Sequence, residues 1–87
     1  MSLQVVWVPR ALDQLAALCV SGLSRERVSD AADEAERRIE ADPHGAGESR
    51  ALDERVLFQP PLVVRWRVAP SVGRVFVVSV TAGGPAR

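Results

Sequence analysis

The sequence has no lysine and no tyrosine, and only one histidine and one cysteine. A lone thiol, Cys19, cannot close an internal disulfide, which fits a reducing compartment and points to the cytoplasm. No apolar stretch approaches the ~18 residues needed to span a bilayer, and the N-terminus lacks the basic start and long apolar run of a signal peptide. The expectation is therefore a cytoplasmic chain with no membrane partner. No metal-ligand spacing, phosphate-binding glycine loop or nucleophile motif is present, so neither a metal nor an organic cofactor is expected. The absence of lysine, alongside many alanines, valines and arginines, is what a biased coding genome produces.

What is present is arginine, eleven times, balanced by eleven acids. The balance is not local. From Met1 to Glu48 nine acids outnumber five arginines, whereas from Ser49 to Arg87 six arginines face only Asp53 and Glu54. A neutral total thus conceals a basic C-terminal half, and the planar guanidinium fork is suited to bidentate contact with phosphates and carboxylates. Eighty-seven residues suffice for one small domain, near the size at which a permanent partner often adds needed stability. The apolar content of 47% with 25% charge is that of a folded domain.

Leu3 to Val8, rich in β-branched residues and ending at Pro9, reads as a strand. Pro9 suits the first turn of a helix over about 9–21, whose apolar stripe is assigned to Leu12, Leu15, Ala16 and Cys19, with Gly22 as the stop. Ser24 is a suitable N-cap for a second helix that ends at Asp42-Pro43. Its buried face is Val28, Ala32, Ala35 and Ile39, and its outer face carries the i,i+4 pairs Asp33/Arg37 and Glu34/Arg38. His44 to Ser49 reads as a loop. Three strand-like runs follow, Arg55 to Gln59, Leu62 to Val68 and Arg74 to Thr81, divided by Pro60-Pro61 and by Pro70 to Gly73. Short connections predict an antiparallel meander, and the segment 82–87 reads as a mobile tail.

The expected fold is α+β, in the order β-α-α-β-β-β in a single domain, with the apolar strand faces packed on the two helices. Alternation assigns Val56 and Phe58, then Leu62, Val64, Trp66 and Val68, then Phe76, Val78 and Val80 to the core. Arg55, Arg65 and Arg67 then share the uncovered face, since burying an unpaired arginine is costly. Trp7, Trp66 and Cys19 are assigned to the core, and His44 reads as an ordinary loop residue.

The candidate functional surface is this arginine group: Arg50 at the loop end, Arg55, Arg65 and Arg67 on the sheet, and Arg74. Clustered guanidiniums can grip a polynucleotide backbone or stabilise a phosphate during cleavage. The same composition also describes a solvated sheet face with arginines paired to Asp53 or Glu54. Glu48 stands at the edge of the basic surface, where a carboxylate could take a proton from a ribose 2′-hydroxyl or could simply form a surface ion pair.

Taken in order, Val6 to Leu15 (VWVPRALDQL), the helix ending in Asp42-Pro43, Gly47-Glu48-Ser49-Arg50, Arg55-Val56-Leu57 and the Leu62 to Val68 strand resemble the RelE/ParE superfamily of bacterial toxins from type II toxin–antitoxin modules. The resemblance spans about residues 3–81. It implies, more specifically, two N-terminal helices packed on a four-stranded antiparallel sheet, and a partner, the cognate antitoxin from the adjacent gene, that wraps the basic face. It also implies one of two targets, mRNA cut on the ribosome by its own 2′-hydroxyl, or DNA gyrase. Carried over, Glu48 would stand where some members place a base, with Arg55 and Arg65 at the phosphate; Arg50, Arg67 and Arg74 remain binding residues on the strength of the arginine grouping alone. The sequence departs from the nuclease pattern after its last strand, where Thr81 to Arg87 offers no histidine or tyrosine as general acid. A family member that retains only the binding surface is the alternative.

Overall fold

The computed structural model describes residues 3–50 and 53–83. Five strands and two helices follow the order β1 (Gln4–Trp7), α1 (Pro9–Cys19), α2 (Arg25–Ala41), β2 (Glu48–Ser49), β3 (Glu54–Gln59), β4 (Leu62–Ala69) and β5 (Arg74–Ala82), with a 3-10 turn at Pro70–Val72. The strands form one sheet in the order β1-β5-β4-β3-β2. The two helices cover one face of that sheet, burying Ala11, Val28, Ala35 and Ile39 against Leu57, Leu62, Val64, Trp66, Val75, Val77 and Val80.

Both helices begin where the sequence places them. Pro9 occupies the first turn of α1, where its missing N–H leaves nothing unsatisfied. Ser24 caps α2, its Oγ accepting from the Arg27 N–H at 3.3 Å. Replacing Ser24 with alanine removes that acceptor from a first turn whose donors have no intrahelical partner. The expected loss is about 1 kcal/mol, read as a lower midpoint in urea unfolding with an unchanged slope.

The buried face of α2 is Val28, Ala32, Ala35 and Ile39 as expected, joined by Ala31. Small side chains there let the helix lie close to the sheet. The outer face differs in detail: Arg37 pairs with Glu34 at i,i+3 (2.6 Å), and Arg38 donates to Gln59 Oε1. In α1 the stripe is rotated from the assigned one. Ala11 is fully buried and Leu15, Leu18 and Cys19 pack on the core, whereas Leu12 is 50% exposed and Ala16 lies outside. The start at Pro9 and the neighbouring β5 set that rotation, and both 11/15/18 and 12/15/19 satisfy helical spacing.

The sheet is mixed and five-stranded, not four-stranded and antiparallel. The meander β3-β4-β5 is antiparallel, but β1 runs parallel to β5, with Val5 beside Val75 and Trp7 beside Val77. A parallel neighbour is possible because the two-helix hairpin carries the chain across the sheet, a crossover that no short loop provides. The fifth strand is the two-residue β2, inside the segment expected to be loop. Ala82 belongs to β5 and extends the ladder opposite Leu62, so the expected tail does not begin there. Gly83 follows with its N–H donating to the Pro61 carbonyl (3.0 Å), and positions 84–87 lie outside the described residues. No helix among the described residues is long and apolar enough to cross a membrane.

Candidate functional site

Two local features decide which side chains reach the uncovered sheet face. The first is the connection Pro60-Pro61, after which Gln59 stands opposite Leu62, Leu57 opposite Val64 and Arg55 opposite Trp66. Directly opposed residues share a face. Leu62, Val64 and Trp66 are fully buried under the helices, so Leu57 and Arg55 point the same way. Val56 and Phe58 therefore point to the side of the sheet away from the helices, the reverse of the alternation expected for β3, although Val56 is buried there at 2% exposure, as expected of it, and Phe58 is half-buried. The second feature is a bulge in β5: Arg65 pairs with Ser79 and Trp66 with Val77, leaving Val78 without a partner on β4. Val75, Val77 and Val80 consequently form the buried set, and Phe76 and Val78 turn outward as half-buried residues, which corrects the assignment of both to the core.

Arg55 is thus not grouped with Arg65 and Arg67. Its guanidinium lies on the helix side, where Nε donates to the Ala46 carbonyl (2.8 Å) and Nη2 to the Gly47 carbonyl (3.1 Å). Trp66 Nε1 donates to the Pro43 carbonyl (3.0 Å), so two neighbouring sheet side chains fasten the loop between α2 and β2. Gly47 permits the close approach: its φ is +64°, and a Cβ would collide with the Val56 carbonyl oxygen and crowd the Trp66 ring. In this place Arg55 is a loop anchor. His44, Ser49, Asp53, Arg55, Val68 and Pro70 line a shallow cavity of about 280 Å³ beside it.

The open face holds Arg65 and Arg67 on β4, both about half exposed. Between them lies Glu54, whose Oε1 is 3.1 Å from Arg65 Nη1 and whose Oε2 is 3.8 Å from Arg67 Nε. The Glu54 side chain is only 20% exposed, and a bulk-water view of this pair understates the attraction. These three residues, with Arg10 from the start of α1 and Val78 and Ser79 from the bulge, line a groove of about 410 Å³. Sequence reasoning does not single out Arg10; its position just after a strand that joins the sheet edge is the available signal.

Glu48 stands opposite Val56, which in turn stands opposite Arg65, so Glu48 and Arg65 share the open face with one strand between them. The Glu48 carboxylate is held by Arg50 Nη1 at 3.1 Å, a pair largely in solvent. Arg74 is exposed at the β5 end of the same face, opposite Ala69. Among the described residues no cluster of histidine, cysteine, aspartate and glutamate could hold a metal ion.

No protein-family model and no curated protein matches the chain. Solved structures do. The chain superposes on a protein of the chromosomal ParDE toxin–antitoxin system of P. aeruginosa with a TM-score of 0.71 and 19% identity, covering 93% of this chain and 96% of that one. The chain has the RelE/ParE fold. The RelBE2 toxin–antitoxin complex of Mycobacterium tuberculosis (TM-score 0.71, 14% identity, 94% and 99% covered) and a mutant of the E. coli toxin RelE in its free state (TM-score 0.73, 17% identity, 94% and 84% covered) agree. At least 93% of this chain and 84% of each solved chain are covered, so the likeness is one of whole folds and not of a shared helical hairpin.

Proposed function

We infer that this chain is the toxin component of a bacterial type II toxin–antitoxin module, acting in the cytoplasm through the open sheet face. The observation that carries the reading is the near-complete superposition on ParE and RelE proteins, at TM-scores of 0.71 to 0.73. Its partner in the resting cell is the cognate antitoxin from the adjacent gene. That partner covers Arg65 and Arg67, with Arg10, Arg50 and Arg74 around them as further binding residues. A small protein with an exposed charged groove and half-buried apolar neighbours, Phe76 and Val78, gains stability when such a surface is covered.

Of the two targets that the resemblance implies, gyrase inhibition fits the geometry better than mRNA cleavage. Cutting RNA needs a base and phosphate-stabilising cations gathered within contact of one phosphodiester. Here Glu48 is engaged by Arg50 and separated from Arg65 by β3, and Arg55 serves the opposite side of the sheet. Inhibition by binding requires only a complementary surface. A second reading, a catalytically inactive member that serves as a protein- or nucleic-acid-binding module, is favoured by the internal pairing of both Glu48 and Glu54 with arginines.

The test is inducible expression with and without the neighbouring gene, following growth, protein synthesis and plasmid supercoiling together. Growth arrest relieved by the neighbour, with loss of supercoiling while translation continues, is the expected result. Harmless expression at good protein levels overturns the toxin reading. Cleavage of ribosome-bound mRNA overturns the choice of target.

A further inference from the structure

On the open face the Arg65 and Arg67 guanidiniums are not vacant donors: the Glu54 carboxylate reaches one with each oxygen. Glu54 sits directly opposite Arg67 and diagonal to Arg65, and its side chain is mostly covered while both arginine side chains are about half exposed. All three side chains line the groove, the carboxylate more covered than either guanidinium. We propose that Glu54 is the residue that sets the anion affinity of this face, an internal occupant which any incoming oxyanion must displace from Arg65 and Arg67.

The physical basis is competition for the same donors. A carboxylate or phosphate arriving at the groove meets two arginines whose charge is already half neutralised, and it must share or replace the Glu54 interactions. Glu54 also repels that anion directly across a few ångströms of partly desolvated surface. The result is a face that holds its arginines in fixed positions yet binds nonspecific polyanions weakly. Only a partner that also packs apolar groups against Val78 and the neighbouring half-buried side chains recovers the deficit. A purely electrostatic ligand does not. The inference rests on the proposed function only in taking this face as the binding surface.

The experiment measures binding of a short fluorescent heparin fragment to the full chain over a range of salt concentrations, for the wild type, Glu54→Gln, Arg65→Ala/Arg67→Ala and the triple variant. Glutamine keeps the size and an acceptor but removes the charge. Glu54→Gln is expected to bind about three- to tenfold more tightly at low salt. Its salt dependence should steepen, and the gain should vanish in the triple variant. Unchanged or weaker binding by a Glu54→Gln protein with a normal thermal melt overturns the proposal, because a purely structural glutamate would give that result. Should Glu54→Gln fail to fold, Glu54→Asp serves instead. Its shorter carboxylate cannot span both arginines, so it should bind more tightly than wild type by a smaller factor, and equal affinity overturns the idea. Growth arrest by the wild type is scored separately, so failure of the toxin reading and failure of the Glu54 inference are distinguishable.

Discussion

Substituting Arg65 and Arg67 together with alanine is expected to abolish growth arrest, leaving colony counts on inducer equal to those of an empty vector while the protein accumulates at normal levels. Both side chains are about half exposed, so truncation opens no cavity in the core, and the Glu54 carboxylate that loses both partners keeps access to water at the groove. The slope of log affinity against log salt for a polyanion should fall by about two, one for each guanidinium removed. Arg55→Ala is the informative contrast. It deletes two hydrogen bonds to the loop carbonyls of Ala46 and Gly47, so it should lower the melting temperature and leave the salt slope unchanged. A salt slope that falls for Arg55→Ala and not for the Arg65/Arg67 pair would place the binding surface on the wrong side of the sheet.

The largest effect on stability should come from Trp66→Ala. Trp66 is a fully buried member of the core on β4, and it donates Nε1–H to the Pro43 carbonyl. Truncation leaves a cavity and an unpaired carbonyl, at a cost of about 3–5 kcal/mol. That is a large part of the roughly 5–15 kcal/mol available to a domain of ordinary stability. At ~4–8 °C per kcal/mol for a chain of this length, the midpoint should drop by at least about 12 °C. Trp66→Phe retains most of the packing and removes the hydrogen bond, so its midpoint should fall between those of the wild type and Trp66→Ala. A melt of Trp66→Ala within a few degrees of wild type would show that the loop from Pro43 to Gly47 collapses onto the core without help from the indole.

How far the chain could be read in advance depended on the range of the interactions involved. Ser24 as a cap, Pro9 at a helix start, the Val28/Ala32/Ala35/Ile39 face and the alternation Leu62/Val64/Trp66 were all legible because each rests on interactions within a few residues. The faces of β3 and β5 were not. In β3 polar residues fall on both faces, Arg55 and Gln59 beside Leu57 and Glu54 beside Val56 and Phe58, and in Val75-Phe76-Val77-Val78 every position is apolar, so alternation orients neither strand. A signal for β3 did exist: with only Pro60-Pro61 between the strands, Gln59 must stand near Leu62, and the unambiguous pattern of β4 then carries over to β3. Nothing comparable announced the bulge at Val78, which depends on how β5 accommodates both β4 and β1.

Both helices and four of the five strands, their order, the small buried face of α2 and the gathering of arginine in the second half of the chain were set by local sequence. Tertiary structure alone decided that β1 lies parallel to β5, that Glu48 sits on a fifth strand, that Arg55 ties down a loop on the helix side, and that Glu54 lies between Arg65 and Arg67. The reason is that periodicity reports which residues of one element are alike. Which way a strand faces, and whose charge meets whose, is set by pairing between residues distant along the chain, where burial of Trp66 and its neighbours outweighs any preference of a single strand.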